Sequence, residues 1–297
     1  MKIPTKKLAN GFELPVYGLG LWGMGGFRET DTSRDAEDVA AIRAAIDAGV
    51  THLDTAEMYG VGHAEELLGQ ALRAGGYDRK ALLIATKVLG SNAAYGQVKA
   101  ACAKSLDRMG LDYIDLYLLH WFPSPGVDIR DTMRAMDELV REGLVKNIGV
   151  CNFTPKRFDA AQAVTANKLV CNQVYYNVKM RAVEELGVLK HAQDHDVLLN
   201  AWRPLEKGAL EHNDLMDDLA KKYNKSPAQM AINWLISQDH VVTMSKTSSS
   251  GHLEENLGAF GWKMEAEDVE RLRDEYPSQD NSTEKSHLFA AGDIPAV

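Results

Sequence analysis

The chain has 297 residues, 45% hydrophobic and 25% charged, enough apolar material for one large core under a soluble surface. Its formal net charge of -9 argues against nucleic acid or an anionic membrane as main partner. Cys102, Cys151 and Cys171 contain no CxxC pair, the N-terminal MKIPTKKLANGF has no secretory h-region, and no run reaches the ~18 apolar residues of a span, so a cytoplasmic protein is expected.

Taking the elements in order, Asn10-Gly11 between KKLA and FELPV signals a tight hairpin, suited to plug the bottom of a barrel. A strand is expected at 16–20. Its Gly18, Gly20 and Gly23 spell GxGxxG, but a dinucleotide fingerprint needs a helix opening within the glycines and an acid ~20 positions on. Positions 24–33 are instead glycine-rich and then charged, and the next strand-end acid, Asp54, comes too late. A turn that lets backbone approach a ligand is the better reading. Helical spacing follows at Val39/Ile42/Ile46, then a strand at 51–54 and another at 82–87. Val98/Cys102/Leu106 precede a strand at 114–120, Met133/Met136/Val140 one at 145–150, and Phe158/Ala161/Val164 one at 170–175. Strands at 197–202 and 241–245 complete the set. Thr154-Pro155 and Ser226-Pro227 each place a capping hydroxyl before a helix-opening proline.

Eight strands alternating with helices imply an α/β protein with a parallel sheet, open or closed. Asp54, Lys87, His120, Asn152, Gln173, Trp202 and Lys246 fall at or near strand C-terminal ends, the first four about one βαβ unit apart. Only a closed barrel brings all those ends to one face, where barrel active sites lie. A (β/α)8 TIM barrel with an N-terminal β-hairpin plug is therefore expected, one domain over 1–297 without an internal linker.

The chemistry is concentrated at three successive strand ends. Tyr59 is a weak proton donor at neutral pH, because a free phenol has a pKa of ~10. A cation such as Lys87 held beside it favours the phenolate and lowers that value. A desolvated lysine needs a carboxylate to stay charged, and Asp54 is the candidate. His120 can orient a carbonyl and share in proton transfer. Singly, a lysine at a strand end is usually solvated and a tyrosine usually packs. Four complementary groups together are harder to explain as packing.

The segment Asp54-Thr-Ala-Glu-Met-Tyr59, with Lys87 ending IATK and His120 ending DLYLLH, resembles the catalytic tetrad of the aldo-keto reductase family, in its prokaryotic aldehyde and diketogluconate reductase-like branch. The resemblance covers nearly the whole chain and implies carbonyl reduction by hydride transfer, with Tyr59 as general acid. It also implies a cofactor clamp. Gly149-Val-Cys151-Asn152-Phe is similar to the family's Gly-Val-Ser-Asn-Phe, and Gln173 to the glutamine of its Asn-Gln pair; these amides would read a carboxamide. Trp202 stands where the family usually has a stacking tyrosine, followed by Arg203, Pro204 and Leu205, and the turn at Gly20, Leu21 and Trp22 approaches the same ligand. Ser245, Lys246, Thr247, His252, Glu255 and Asn256 resemble the adenosine-phosphate site.

Departures matter. Cys151 replaces a hydroxyl, Arg203 a serine, Ser245 a proline, and His252 the arginine that forks around a 2′-phosphate. NADP(H) is expected to be preferred through Lys246, with NAD(H) also usable. Trp22, Met58, Trp121 and Phe122 are expected to line a substrate pocket with Tyr59 and His120. A short 121–127 loop and a short tail after Tyr276 suggest an open site for aldehydes, α-dicarbonyls and keto-sugars. Monomers or weak oligomers are expected. His52, His63 and His120 lack HxH or HExxH spacing, so no metal is expected. Two rivals remain: a Schiff-base aldolase using Lys87 or Lys246, and a cofactor-sensing regulatory subunit on the same fold.

Overall fold

The computed structural model describes residues 2–206, 214–276 and 278. β1 (Thr5–Lys7) and β2 (Glu13–Pro15) pair antiparallel. β3 (Tyr17–Gly20), β4 (His52–Asp54), β5 (Leu83–Val88), β6 (Ile114–Leu119), β7 (Val145–Cys151), β8 (Leu169–Tyr175), β9 (Leu198–Trp202) and β10 (Val241–Ser245) form a closed parallel barrel. β10 closes it against β3 by pairing Thr243 with Tyr17 and Ser245 with Leu19. β6 and β8 are buried at every position, as strands covered on both faces must be.

Helices fill the outer layer. α1 (Asp35–Asp47), α2 (His63–Gly75), α3 (Tyr95–Met109), α4 (Ile129–Arg141) and α5 (Pro155–Gln162) each follow a barrel strand from β3 to β7. α6 (Ala182–Glu185) and α7 (Val188–Asp194) lie between β8 and β9, α8 (Asp214–Tyr223) and α9 (Pro227–Ile236) between β9 and β10, and α10 (Ser250–Leu257) and α11 (Ala266–Glu275) after β10. Thr154 caps α5 by accepting from the Arg157 N–H, and Ser226 forms a reciprocal capping box with Gln229 on α9. Among the described residues no helix is long and apolar enough to cross a membrane.

The N-terminal hairpin lies across the barrel bottom. Lys6 Nζ donates to the carbonyls of Ile236 and Gln238, ahead of β10, and the Ala9 N–H donates to Asp196 ahead of β9 at 2.9 Å. Its loop is longer than the two-residue turn expected. Gly11 takes φ 93° but Asn10 does not, and the chain closes through Leu8 N–H to Phe12 O (2.9 Å), with Asn10 Oδ1 accepting from Phe12. An Asn-Gly two-residue turn of type I′ needs positive φ at both positions.

Gly18 and Gly20 lie in β3, within the strand expected at 16–20, and a Cβ on Gly18 would meet His52 Nδ1 at 2.4 Å, so this glycine serves packing. No helix opens there; α1 begins at Asp35. One further expectation changes, because the α5 stripe ends early: Val164 lies past Gln162 and stays exposed, while Thr165 Oγ1 donates to Ala161 O at 2.6 Å. The tail after Tyr276, apart from Ser278, lies outside the described residues.

Candidate active site

β4 and β5 pair in parallel, Asp54 opposite Ala85, which sets Asp54 and Lys87 side by side at the barrel mouth. Lys87 is fully buried, and its three ammonium protons meet three acceptors: Asp54 Oδ1, Thr55 O at 2.7 Å and Tyr59 Oη at 3.0 Å. Burial opposes the ammonium charge, but Asp54 and the Tyr59 oxygen outweigh it and hold Lys87 above its ordinary pKa. A lysine held protonated is no nucleophile, which removes it from the Schiff-base rival. Gln173 Nε2 donates to the other oxygen of Asp54 at 2.7 Å, so the carboxylate is held on both sides.

Tyr59 differs from expectation. Burial pushes its phenol up to about 12; Lys87 pulls the other way, and Asp54 behind Lys87 cancels part of that pull. The phenol therefore stays protonated at neutral pH. Because its oxygen accepts from Lys87, its own hydrogen is left to donate elsewhere. His120 meets the Tyr59 ring edge-on at 5.9 Å and stacks on Trp121 at 4.0 Å. Trp22 meets Tyr59 edge-on from another side at 4.9 Å. Met58 and Trp121 are half-buried beside these rings, whereas Phe122 turns toward α5, packing on Phe153 at 5.4 Å under the Arg157 guanidinium.

Around the mouth, β7 and β8 carry a register irregularity between Ile148 and Val150, just before Cys151 and Asn152. Asn152 takes φ 60°; its Nδ2 donates to His120 O at 3.4 Å and its Oδ1 accepts from Trp202 Nε1 at 3.3 Å. Trp202 stacks on Tyr175, centroids 4.4 Å apart and 8° from parallel. Arg203 lies beside both rings, 5.2 Å from the Trp202 centroid. Pro204 is buried and Leu205 packs half-buried on the core. Leu21 is buried and donates its N–H to Asp54 O at 2.9 Å; Gly20 pairs with Asp54. The Cys151 thiol is buried and pushed well above its usual range, so it is inert.

At the far end, Ser245 and Asn256 turn inward. Asn256 Nδ2 donates to Tyr17 Oη and Ser245 Oγ, both at 3.1 Å. The Thr247 hydroxyl closes its own turn by donating to Ser249 O at 3.1 Å. Exposed Lys246, bonded to Ser248 Oγ at 3.1 Å, and exposed His252 flank the Ser249-capped start of α10. Half-buried Glu255 edges a shallow depression of about 870 Å3 shared with Ala44, Lys225, Gln229 and Ser250, on the outer side of α10 rather than over Tyr59. A flat indole at one strand end, amides at two others and a cation beside a helix start have the chemistry to hold a nicotinamide dinucleotide, so the residues fit such a cofactor.

Three residues at this face escaped the sequence. Phe27, exposed at 60%, meets Trp22 edge-on at 5.4 Å, but stands in a glycine-rich run without periodicity. Tyr175 reads as one more strand residue until Trp202 is seen against it. Glu57 accepts from Leu89 N–H (2.7 Å) and Asn92 Nδ2 (3.0 Å), bracing the loop after β5; its place inside DTAEMY was the available signal.

Comparison with known proteins agrees with this geometry. Residues 17–276 match the Aldo/keto reductase family. The glyoxal reductase of Bacillus subtilis is 34% identical, covering 90% of this chain and 91% of that protein. The methylglyoxal reductase YeaE of Escherichia coli is 33% identical over 91% and 94%. An aldo/keto reductase structure from Klebsiella pneumoniae, in complex with NADP and acetate, superposes with a TM-score of 0.83 at 31% identity, covering 94% of this chain and 97% of that one. A closed barrel with a lysine, carboxylate and phenol joined at its mouth thus meets matches spanning nearly all of the sequence, and the chain belongs to the aldo/keto reductase family, oxidoreductases that use nicotinamide cofactors.

Proposed function

We propose that the protein reduces small aldehydes, α-dicarbonyls foremost, with Tyr59 as proton donor and NADPH preferred over NADH. One observation carries the reading: Lys87 spends all three protons on Asp54, Thr55 and Tyr59, so the Tyr59 hydroxyl accepts from Lys87 and keeps its own proton for a ligand. A bound nicotinamide supplies the hydride. Tyr59 then protonates the carbonyl oxygen. An alkoxide is more basic than a phenol at about 12, so the transfer runs downhill without a prior phenolate. The Lys87 ammonium stabilises the phenolate left behind, and Asp54 with Gln173 keeps the ammonium in place. His120 and Trp22, on two sides of Tyr59, hold the carbonyl in line. Relatives named for glyoxal and methylglyoxal reduction support the substrate class.

Replacing Tyr59 with Phe removes the donated proton and little else. Turnover of methylglyoxal, followed by NADPH absorbance, is expected to fall on the order of 10²–10⁴-fold, with the fluorescence-titrated Kd for NADPH unchanged. Turnover retained in Tyr59→Phe would take Tyr59 out of this role. Cofactor preference rests on Lys246 and the start of α10, with His252 too small for a bidentate clamp. The ratio of kcat/KM for NADPH over NADH should exceed one and drop toward one in Lys246→Met. A wild-type ratio at or below one overturns the preference.

A further inference from the structure

We infer that His191, His195 and Asp159 form a surface site for a borderline-soft divalent metal such as Zn2+ or Ni2+, joining helix α7 to its neighbour α5. This inference is independent of the reductase chemistry. His191 lies in the last turn of α7 and His195 at its C-cap, one helical turn further on, which puts both imidazoles on one face. Asp159 reaches them from α5. One ligand atom from each residue lies within 4.8 Å of the other two, and no other such grouping of three occurs among the described residues.

The protonation pattern also suits a metal. His191 Nε2 stands 2.7 Å from Asp159 Oδ1, so a cation between them takes the place of a proton. His195 Nδ1 donates to His191 O at 2.9 Å, which fixes its tautomer and leaves the lone pair on Nε2, the arrangement metal-binding histidines use. The Phe158 ring braces His191 edge-on at 5.3 Å, and the two imidazoles stack at 4.2 Å. Bonds of about 2.0–2.1 Å place tetrahedral ligand atoms roughly 3.3 Å apart, and an imidazole lone pair lies in its ring plane, so the exposed His195 ring must turn out of its stack on His191 to aim at the same ion. Two imidazoles and one carboxylate select Zn2+ or Ni2+ over Mg2+ and Ca2+, which favour all-oxygen shells.

The test is calorimetric titration of ZnCl2 and NiCl2 into the chelator-treated, tag-free full chain. One ion per chain is expected, with Kd on the order of 10 µM for a three-ligand site open to water. Binding should raise Tm, because the metal holds only the folded helix pair. His195→Gln and the double variant His191→Gln/His195→Gln should lose at least about tenfold in affinity while keeping metal-free Tm and carbonyl turnover, since both residues are remote from the barrel mouth. No saturable binding below 1 mM, or affinity unchanged in the double variant, overturns the site.

Discussion

Val61 sits two residues past Tyr59 with φ 58° and ψ 38°, a left-handed conformation that a β-branched side chain resists. Its side chain is 66% exposed, so packing does not compensate. The turn is held from outside: the Gly60 N–H donates to Phe27 O and Thr30 Oγ1 donates to Gly60 O, both at 2.9 Å. Strain is thus stored next to the proton donor, where the loop after β3 overrides local preference. Asparagine tolerates this conformation. Val61→Asn should therefore stabilise the fold by about 1 kcal/mol in urea denaturation, with kcat for methylglyoxal unchanged. Glycine would relieve the same strain but return part of the gain through a freer unfolded chain. A Val61→Asn protein no more stable than wild type would mean that the turn costs nothing.

Among the elements, the barrel strands were legible because each is a short apolar run buried on both faces, bounded by polar strand ends. Asp54, Lys87 and His120 were legible because charge and imidazole at the ends of such runs have few packing explanations. What stayed hidden was pairwise. The bond from Gln173 Nε2 to Asp54 shows only in the course of β8 past β4 across the barrel. The bonds that join Asn256 to Ser245 and to Tyr17, a residue far away in sequence, appear only once β10 closes on β3. The sign of the Tyr59 shift failed for a related reason. A motif shows which charge is near, but not how completely the surrounding strands remove water. The long hairpin loop and the early end of α5 were lost to local turn chemistry, where Asn10 and Thr165 bond their own backbone or side-chain neighbours.

At the scale of the whole molecule, closing the sheet buries polar groups inside a cylinder. His52 lies on the same face of β4 as Asp54 and is fully buried, and among the described residues neither of its ring nitrogens, nor the side-chain amide of Asn200 on β9, has a hydrogen-bond partner. Burial pushes His52 down to about 4, Asp54 partly opposing and Lys87 adding to the shift. Below pH ~6.5 the unfolded chain binds a proton at this imidazole and the folded barrel does not. Stability is therefore lost as pH falls from about 6.5 to about 4, by about 1.4 kcal/mol per unit and roughly 3 kcal/mol in all. Carboxylates held below their usual range, Glu138 by the Tyr95 hydroxyl and Asp194 by Lys190, act in the same direction but only below about pH 4.5. His63 acts in the opposite sense: burial works against its charge, but Glu66 and Asp35 prevail and raise its pKa, so it favours the fold at low pH. Urea denaturation at pH 7.0, 5.5 and 4.5 separates these contributions when wild type is compared with His52→Leu, which keeps every other group. The variant should lose less stability over that interval, because it has no imidazole to protonate on unfolding. Parallel losses in the two proteins would show that acid sensitivity arises elsewhere in the barrel.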